Sequence, residues 1–148
     1  MNFGEYLFEK VRDTGRECIV FRDGSLTYQD LLSRVNSLSA HLVSTIGTGN
    51  ECLILSENSP FFVIAYLAII RSGNTALLVE TQISDTQLVA VYRQCRIRTS
   101  FVQKKFIAKT AGREHVIPED ILSELSPTDT FTVSPVQDDA VAVVIFTS

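Results

Sequence analysis

An α/β fold, with a layered and largely parallel sheet, helices packed on it and a β-hairpin in front, is what these 148 residues predict. Three observations carry that expectation. Strand-length apolar runs alternate with stretches of helical periodicity through the middle of the chain, the pattern of a parallel sheet wound with helices. One of those stretches, FFVIAYLAII at 61–70, is apolar on every side and so belongs inside a packed layer. Near the front, Asp23-Gly24 separates two apolar runs and marks a hairpin, because glycine accepts the positive φ that such turns require.

Taken in order, residues 3–11 form a short helix with Phe3, Leu7 and Val11 on one side. CIVF and LTY are the hairpin strands. Thr27 then caps a long amphipathic helix, with Asp30 three residues on completing a variant of the capping box. Leu31, Leu32, Val35, Leu38 and Leu42 share one face of that helix. CLIL at 52–55 reads as a buried strand. Ser59 and Pro60 supply the cap and first position of the apolar helix, and Gly73 suits its C-terminal turn. A large side chain there contributes about 1.5–3 kcal/mol when fully buried. Ordering each residue costs about 1–2 kcal/mol of backbone entropy. The helix is therefore stable only within a layer. TALLV at 75–79 is a further strand, Ser84 with Gln87 a second capping box, and Leu88, Val91, Tyr92 and Cys95 continue at helical spacing. RTSFV at 98–102 is strand-like, and 116–125 suggests a short helix entered at Pro118. SPTDTFTVSPVQDD is a surface connection, and VAVVIFTS at 141–148 is a buried strand ending on two hydroxyls.

Composition narrows the function. With 45% hydrophobic and 20% charged residues the chain is globular, one domain over 1–148. A net charge of −4 disfavours nucleic acid as a partner. Cys18, Cys52 and Cys95 are widely spaced and odd in number, which points to reduced thiols in the cytoplasm rather than disulfides or zinc. The apolar run at 61–70 is half what a membrane span needs, and the N-terminus lacks a signal-peptide core. Between Arg93 and Arg113 lie seven basic residues and no acidic one; from Glu114 onward lie seven acidic and no basic. Solvated faces account for such runs, with an anion-contacting patch as the other reading.

Candidate chemistry is sparse. GTGN at 47–50 leaves a helix and enters a strand, the reverse of a phosphate loop, so Gly47 and Gly49 are a helix stop and a turn. His41 and His115 are boundary and surface residues. Ser59 and Ser148 have no histidine nearby in sequence, and no metal-ligand spacing occurs.

The order of the pieces is more informative than any one of them. Leu26-Thr27-Tyr28 with Asp30-Leu31, then Asn58-Ser59-Pro60, then Ser72-Gly73, then Asp139 through Ser148 resembles the front of the adenylate-forming superfamily, the AMP-dependent synthetases and ligases. The resemblance covers nearly the whole chain and only the N-terminal portion of that family's domain. It implies that Thr147 and Ser148 are the first two positions of a loop rich in Gly, Ser and Thr that wraps ATP phosphates. No glycine or lysine follows them. The family places proline after its third strand, where this chain has VETQ at 79–82, a region the resemblance assigns to packing.

The implied activity is that of an acid–thiol ligase, acyl-CoA synthetase-like. A carboxylate and ATP with Mg²⁺ give an acyl-adenylate and pyrophosphate, and a thiol of CoA or of a carrier pantetheine then takes the acyl group. The resemblance places the lysine and the nucleotide-binding residues beyond Ser148, so the chain alone is expected to be inactive, with no catalytic or metal-binding residue of its own. The alternative is a non-catalytic α/β interaction module that dimerises or complements a partner chain through exposed sheet surface.

Overall fold

A computed structural model describes residues 3–11, 14–133 and 135–146. In chain order it contains α1 (Phe3–Glu9), β1 (Glu17–Phe21), β2 (Gly24–Thr27), α2 (Tyr28–Thr45), β3 (Glu51–Leu55), α3 (Pro60–Arg71) and β4 (Thr75–Leu78). There follow α4 (Asp85–Gln94), β5 (Thr99–Val102), a 3₁₀ segment at Lys104–Thr110, β6 (His115–Pro118), α5 (Ile121–Glu124) and β7 (Val143–Ile145). β1 and β2 form an antiparallel hairpin. The other five strands make one sheet in the order β6-β5-β3-β4-β7, every pair of neighbours parallel.

Alternation along the strands divides the core in two. Cys52, Ile54, Ala76 and Phe101 face α2 and α3, where Val35, Leu38, Leu42 and Ile64 are buried. Leu53, Leu55, Leu77 and Val102 face the other way, against Leu88, Val91 and Tyr92 of α4. A period of two in the strands and a stripe in each helix make both layers possible from one sheet. The apolar helix is α3, closely covered on most sides, with Phe62, Val63 and Tyr66 half-buried.

The helix signals hold at atomic level. The Thr27 hydroxyl accepts the Asp30 N–H at 3.1 Å while the Asp30 carboxylate accepts the Thr27 N–H at 3.2 Å, a complete capping box. The Thr27 hydroxyl also donates to the Asp30 carboxylate at 2.8 Å, and that bond holds the Asp30 carboxyl below the usual carboxylate range. Its contribution is present above the ordinary carboxylate pKa and is lost as pH falls through the lowered one. Thr27→Ala removes the side-chain half of the box. It is expected to lower stability by about 1 kcal/mol, read as a lower urea midpoint with an unchanged slope.

Four expectations need correction. The hairpin is present, but its loop is Arg22-Asp23, with Gly24 already paired to Phe21. Gly24 is not among the residues at positive φ; a Cβ there would meet the Phe21 ring at 3.3 Å, so close ring packing is what the glycine permits. His115–Pro118 is a strand, not a helix approach, and the helix begins only at Ile121. Pro118 is tolerated because β6 is an edge strand. The 3₁₀ segment carried no periodic apolar signal and was not expected. Finally, β7 is an edge strand rather than a buried one, with Ile145 66% exposed. Its sequence is that of a core strand, but among the described residues only β4 flanks it.

Candidate functional site

At the carboxyl end of the sheet the loops after β3 and β4 part company. The first leads to α3 on one face and the second to α4 on the other. Open parallel sheets bind ligands where adjacent strands send their loops to opposite faces, because the divergence leaves a crevice. Here it is a cleft of about 670 Å³. Ser56, Glu57 and Asn58 line one side; Glu80, Thr81 and Gln82 line the other. Phe62, Leu78, Ile145 and Phe146 supply an apolar wall.

The β3 side is held by polar contacts. Gln103, just past β5, donates its N–H to the Leu55 carbonyl at 3.0 Å, and its Oε1 accepts the Glu57 N–H at 3.0 Å. The Ser56 hydroxyl donates to the Glu57 carbonyl at 2.8 Å and lies 3.2 Å from the Ser59 hydroxyl. Ser59 caps α3 by accepting the Phe62 N–H at 3.2 Å. Lys105 reaches back to the Glu57 carboxylate at 2.5 Å. On the opposite side, Ser84 and Gln87 form the second capping box, and the Lys109 ammonium donates to the Ile83 carbonyl at 2.7 Å. Each rim is thus tied to β5 or to the 3₁₀ segment after it.

Chemically the cleft offers hydroxyl and amide groups beside an apolar wall. Its described lining contains no lysine, arginine, histidine or cysteine. Among the described residues no group of three or more His, Cys, Asp or Glu could hold a metal ion. The arrangement suits a polar ligand with a flat or apolar part; the ionisable groups in its described lining are the Glu57 and Glu80 carboxylates, and it holds no cation.

The sites named from sequence fare unevenly. Thr147 and Ser148 lie outside the described residues; Phe146, just before them, lines the cleft and donates its N–H to the Leu78 carbonyl at 3.0 Å. Ser59 is a cap at the cleft's edge. His41 is half-buried near the end of α2, and His115 is exposed on β6 with Nδ1 3.5 Å from the Thr99 hydroxyl. Gly47, Gly49 and Gly73 all have positive φ, as helix stops and turns require. The basic run does not form a patch. Arg98 pairs with Glu114, Lys104 with Asp120 and Lys105 with Glu57, while Arg113 lies over the Tyr92 ring at 4.4 Å. Two of those partners come from the acidic run that follows, so exposed ion pairs join the two blocks across β5 and β6.

Sequence reasoning missed Ser56, Thr81, Gln82 and Gln103. Glu80, Thr81 and Gln82, which the resemblance assigned to packing, line the cleft instead. Their available signal was position: each follows an apolar strand directly, although which loops meet depends on strand order.

The class defined by this fold and crevice is an open parallel α/β domain with a cleft at the carboxyl ends of its strands. The profile of the AMP-binding enzyme family matches residues 8–148, and the chain belongs to that family. Among curated relatives, the nonribosomal peptide synthase roqA of Penicillium rubens is 31% identical over 139 residues, 89% of this chain and 6% of that protein. Apo MatB from Rhodopseudomonas palustris superposes with a TM-score of 0.83 at 20% identity, covering 99% of this chain and 32% of MatB. The Klebsiella oxytoca NpsA N-terminal subdomain, in complex with 3-hydroxybenzoyl-AMSN, gives 0.83 at 20%, covering 99% of this chain and 38% of that one. At such identities the structural likeness is one of fold. The chain spans a small part of the curated relatives it matches.

Proposed function

We propose that this chain is the N-terminal portion of an ATP-dependent acid–thiol ligase. In the whole enzyme a carboxylate and ATP form an acyl-adenylate with release of pyrophosphate, and CoA or a carrier pantetheine accepts the acyl group. The observation that carries the reading is the cleft at the divergence of the β3 and β4 loops in a chain matched to the AMP-binding family over residues 8–148. The ligand in the NpsA complex is consistent with it, as is the ATP-bound form of MatB, which covers 96% of this chain with a TM-score of 0.83 at 19% identity.

The residues present fit part of such a ligand. Hydroxyl and amide groups at Ser56, Asn58, Thr81 and Gln82 suit hydrogen bonding to sugar or phosphate oxygens. Thr147 and Ser148 remain the proposed first contacts of the phosphate loop. The described residues assemble no Mg²⁺ site, and no step is assigned to that ion here. Joining a carboxylate to a phosphate brings two anions together, which requires cations to offset their repulsion. Since the described lining has none, the 148-residue chain alone is expected not to form adenylates. Incubating it with ATP, Mg²⁺ and a panel of carboxylic and amino acids should release no pyrophosphate above a protein-free control; release above that control refutes the inactivity. The same assay on a longer polypeptide containing this chain should release pyrophosphate, and failure there with every acid counts against the ligase reading.

Among the described residues no helix is long and apolar enough to cross a membrane, and Cys18, Cys52 and Cys95 are all unbridged. The cytoplasm is the compartment proposed for the chain. The second reading, a non-catalytic module that dimerises, is favoured by one observation: Val141 and Ile145 along the β7 edge are 62% and 66% exposed. On that reading light scattering gives a mass that doubles with concentration, and a constant monomer mass argues against it.

A further inference from the structure

The two rims of the cleft, 56–58 and 80–82, follow different strands and lead to helices on opposite faces of the sheet. The ladder between β3 and β4 ends before either rim begins. Its last pair is Ile54 with Leu78, and one more bond joins the Val79 N–H to the Ile54 carbonyl at 3.4 Å. Among the described residues no hydrogen bond runs directly from 56–59 to 80–83. Yet both rims are fastened to one piece of chain.

That piece runs from Gln103 through the 3₁₀ segment Lys104–Thr110. At its start the Gln103 N–H holds the Leu55 carbonyl and its Oε1 holds the Glu57 N–H, both at 3.0 Å, with the Ser56 hydroxyl 3.5 Å away. The Lys105 ammonium meets the Glu57 carboxylate at 2.5 Å and lies 5.3 Å from the centre of the Phe106 ring. Near its far end the Lys109 ammonium donates to the Ile83 carbonyl at 2.7 Å, one residue before the cap of α4. β4 stands two strand spacings from β5, roughly 10 Å, so this segment spans a gap that the ladder does not. The segment also has its own hold on the body. Phe106 packs against the second core layer, and Thr110 is buried with its hydroxyl on the Ile107 carbonyl at 2.8 Å. The Lys104 N–H donates to the Glu119 carboxylate at 3.1 Å, and its ammonium lies 3.7 Å from the Asp120 carboxylate.

We propose that Gln103, Lys105 and Lys109 are positioning residues that hold the two rims of the cleft at one separation. Ser56 and Asn58 on one rim, and Thr81 and Gln82 on the other, then reach oxygens of the same nucleotide. None of the three lines the cleft; they act through the backbone of the rims. An exposed ion pair such as Lys105 with Glu57 contributes little to global stability. Its effect is on where the rim sits, and a misplaced contact weakens binding before it weakens the fold. The identity of the ligand rests on the ligase reading, whereas the brace across the rims does not.

Two measurements test it. In the 148-residue chain, hydrogen exchange of single amides is followed by NMR. Gln103→Leu removes the acceptor and should speed exchange of the Glu57 amide about five-fold. Lys109→Met should do the same at the Ile83 amide, which bonds to the Glu80 carbonyl at 3.1 Å. In both variants the amides of β3 and β5 and the urea midpoint should stay close to wild type. In the longer polypeptide, each substitution should raise KM for ATP about five-fold with kcat unchanged. Gln103→Glu and Lys109→Arg restore the acceptor and the donor and should return KM to the wild-type value. Wild-type exchange at both rims, a fall in kcat with KM unchanged, or no rescue by the conservative variants would overturn the proposal. A wild-type longer polypeptide that releases no pyrophosphate counts instead against the ligase reading, and the exchange rates then decide the brace.

Discussion

Phe101→Ala should lower the unfolding free energy by about 3–5 kcal/mol, the largest loss expected from any single truncation in this chain. Phe101 is fully buried on β5, between β3 and β6, and its ring centroid lies 6.4 Å from that of Phe61 in a tilted pair. Truncation removes apolar area from the layer under α2 and α3 and leaves a cavity that neighbours on two strands and a helix cannot all move to fill. The aromatic pair adds to the loss beyond its area. Since a domain of this size has about 5–15 kcal/mol in hand, much of the margin goes with one side chain. Urea denaturation followed by circular dichroism reads the change; a loss below about 1 kcal/mol would mean that the layer collapses around the gap.

Stability should also fall steeply in alkali, with Cys52 as a principal cause. Cys52 is fully buried on β3, and burial pushes its thiol from 9.0 up to about 12. Below pH 9 both folded and unfolded chains hold the proton, and the contribution is intact. Between 9 and 12 the unfolded chain loses the proton while the folded chain keeps it, so stability declines by about 1.4 kcal/mol per pH unit. Burial raises Tyr66 and Tyr92 as well, which act in the same direction. The comparison that isolates the thiol is wild type against Cys52→Ala at pH 8, 9.5 and 10.5. The gap between their urea midpoints should narrow as pH rises, and an unchanging gap would contradict the assignment. In the native protein Cys52 should react with thiol reagents only at the rate of unfolding, whereas half-buried Cys18 and Cys95 react sooner.

The parts of this fold that were legible in sequence are those set by near neighbours. Thr27 with Asp30 and Ser84 with Gln87 satisfy helix N–H groups within three residues, as Ser59 does beside Pro60, whose missing N–H needs no partner, so residue type alone locates α2, α3 and α4. Gly47 and Gly73 mark turns because a side chain there would be strained. What misled was equally local. The β-branched run at 141–146 has the composition of a core strand, and composition does not say how many neighbours a strand will have. Gly24 has a hairpin-turn sequence, yet its role depends on the Phe21 ring across the ladder.

By itself the sequence determined the α/β class, the three capped helices and the likeness to adenylate-forming enzymes, because caps, periodicity and motif order are written in residues close along the chain. Only the tertiary structure decided that β7 is an edge, that opposite charge blocks meet across β5 and β6, and that Ser56, Thr81, Gln82 and Phe146 share one cleft. The physical reason is strand order. Which loops converge depends on how parallel strands are shuffled in the sheet, and that follows from burying both faces at once rather than from any local run of residues.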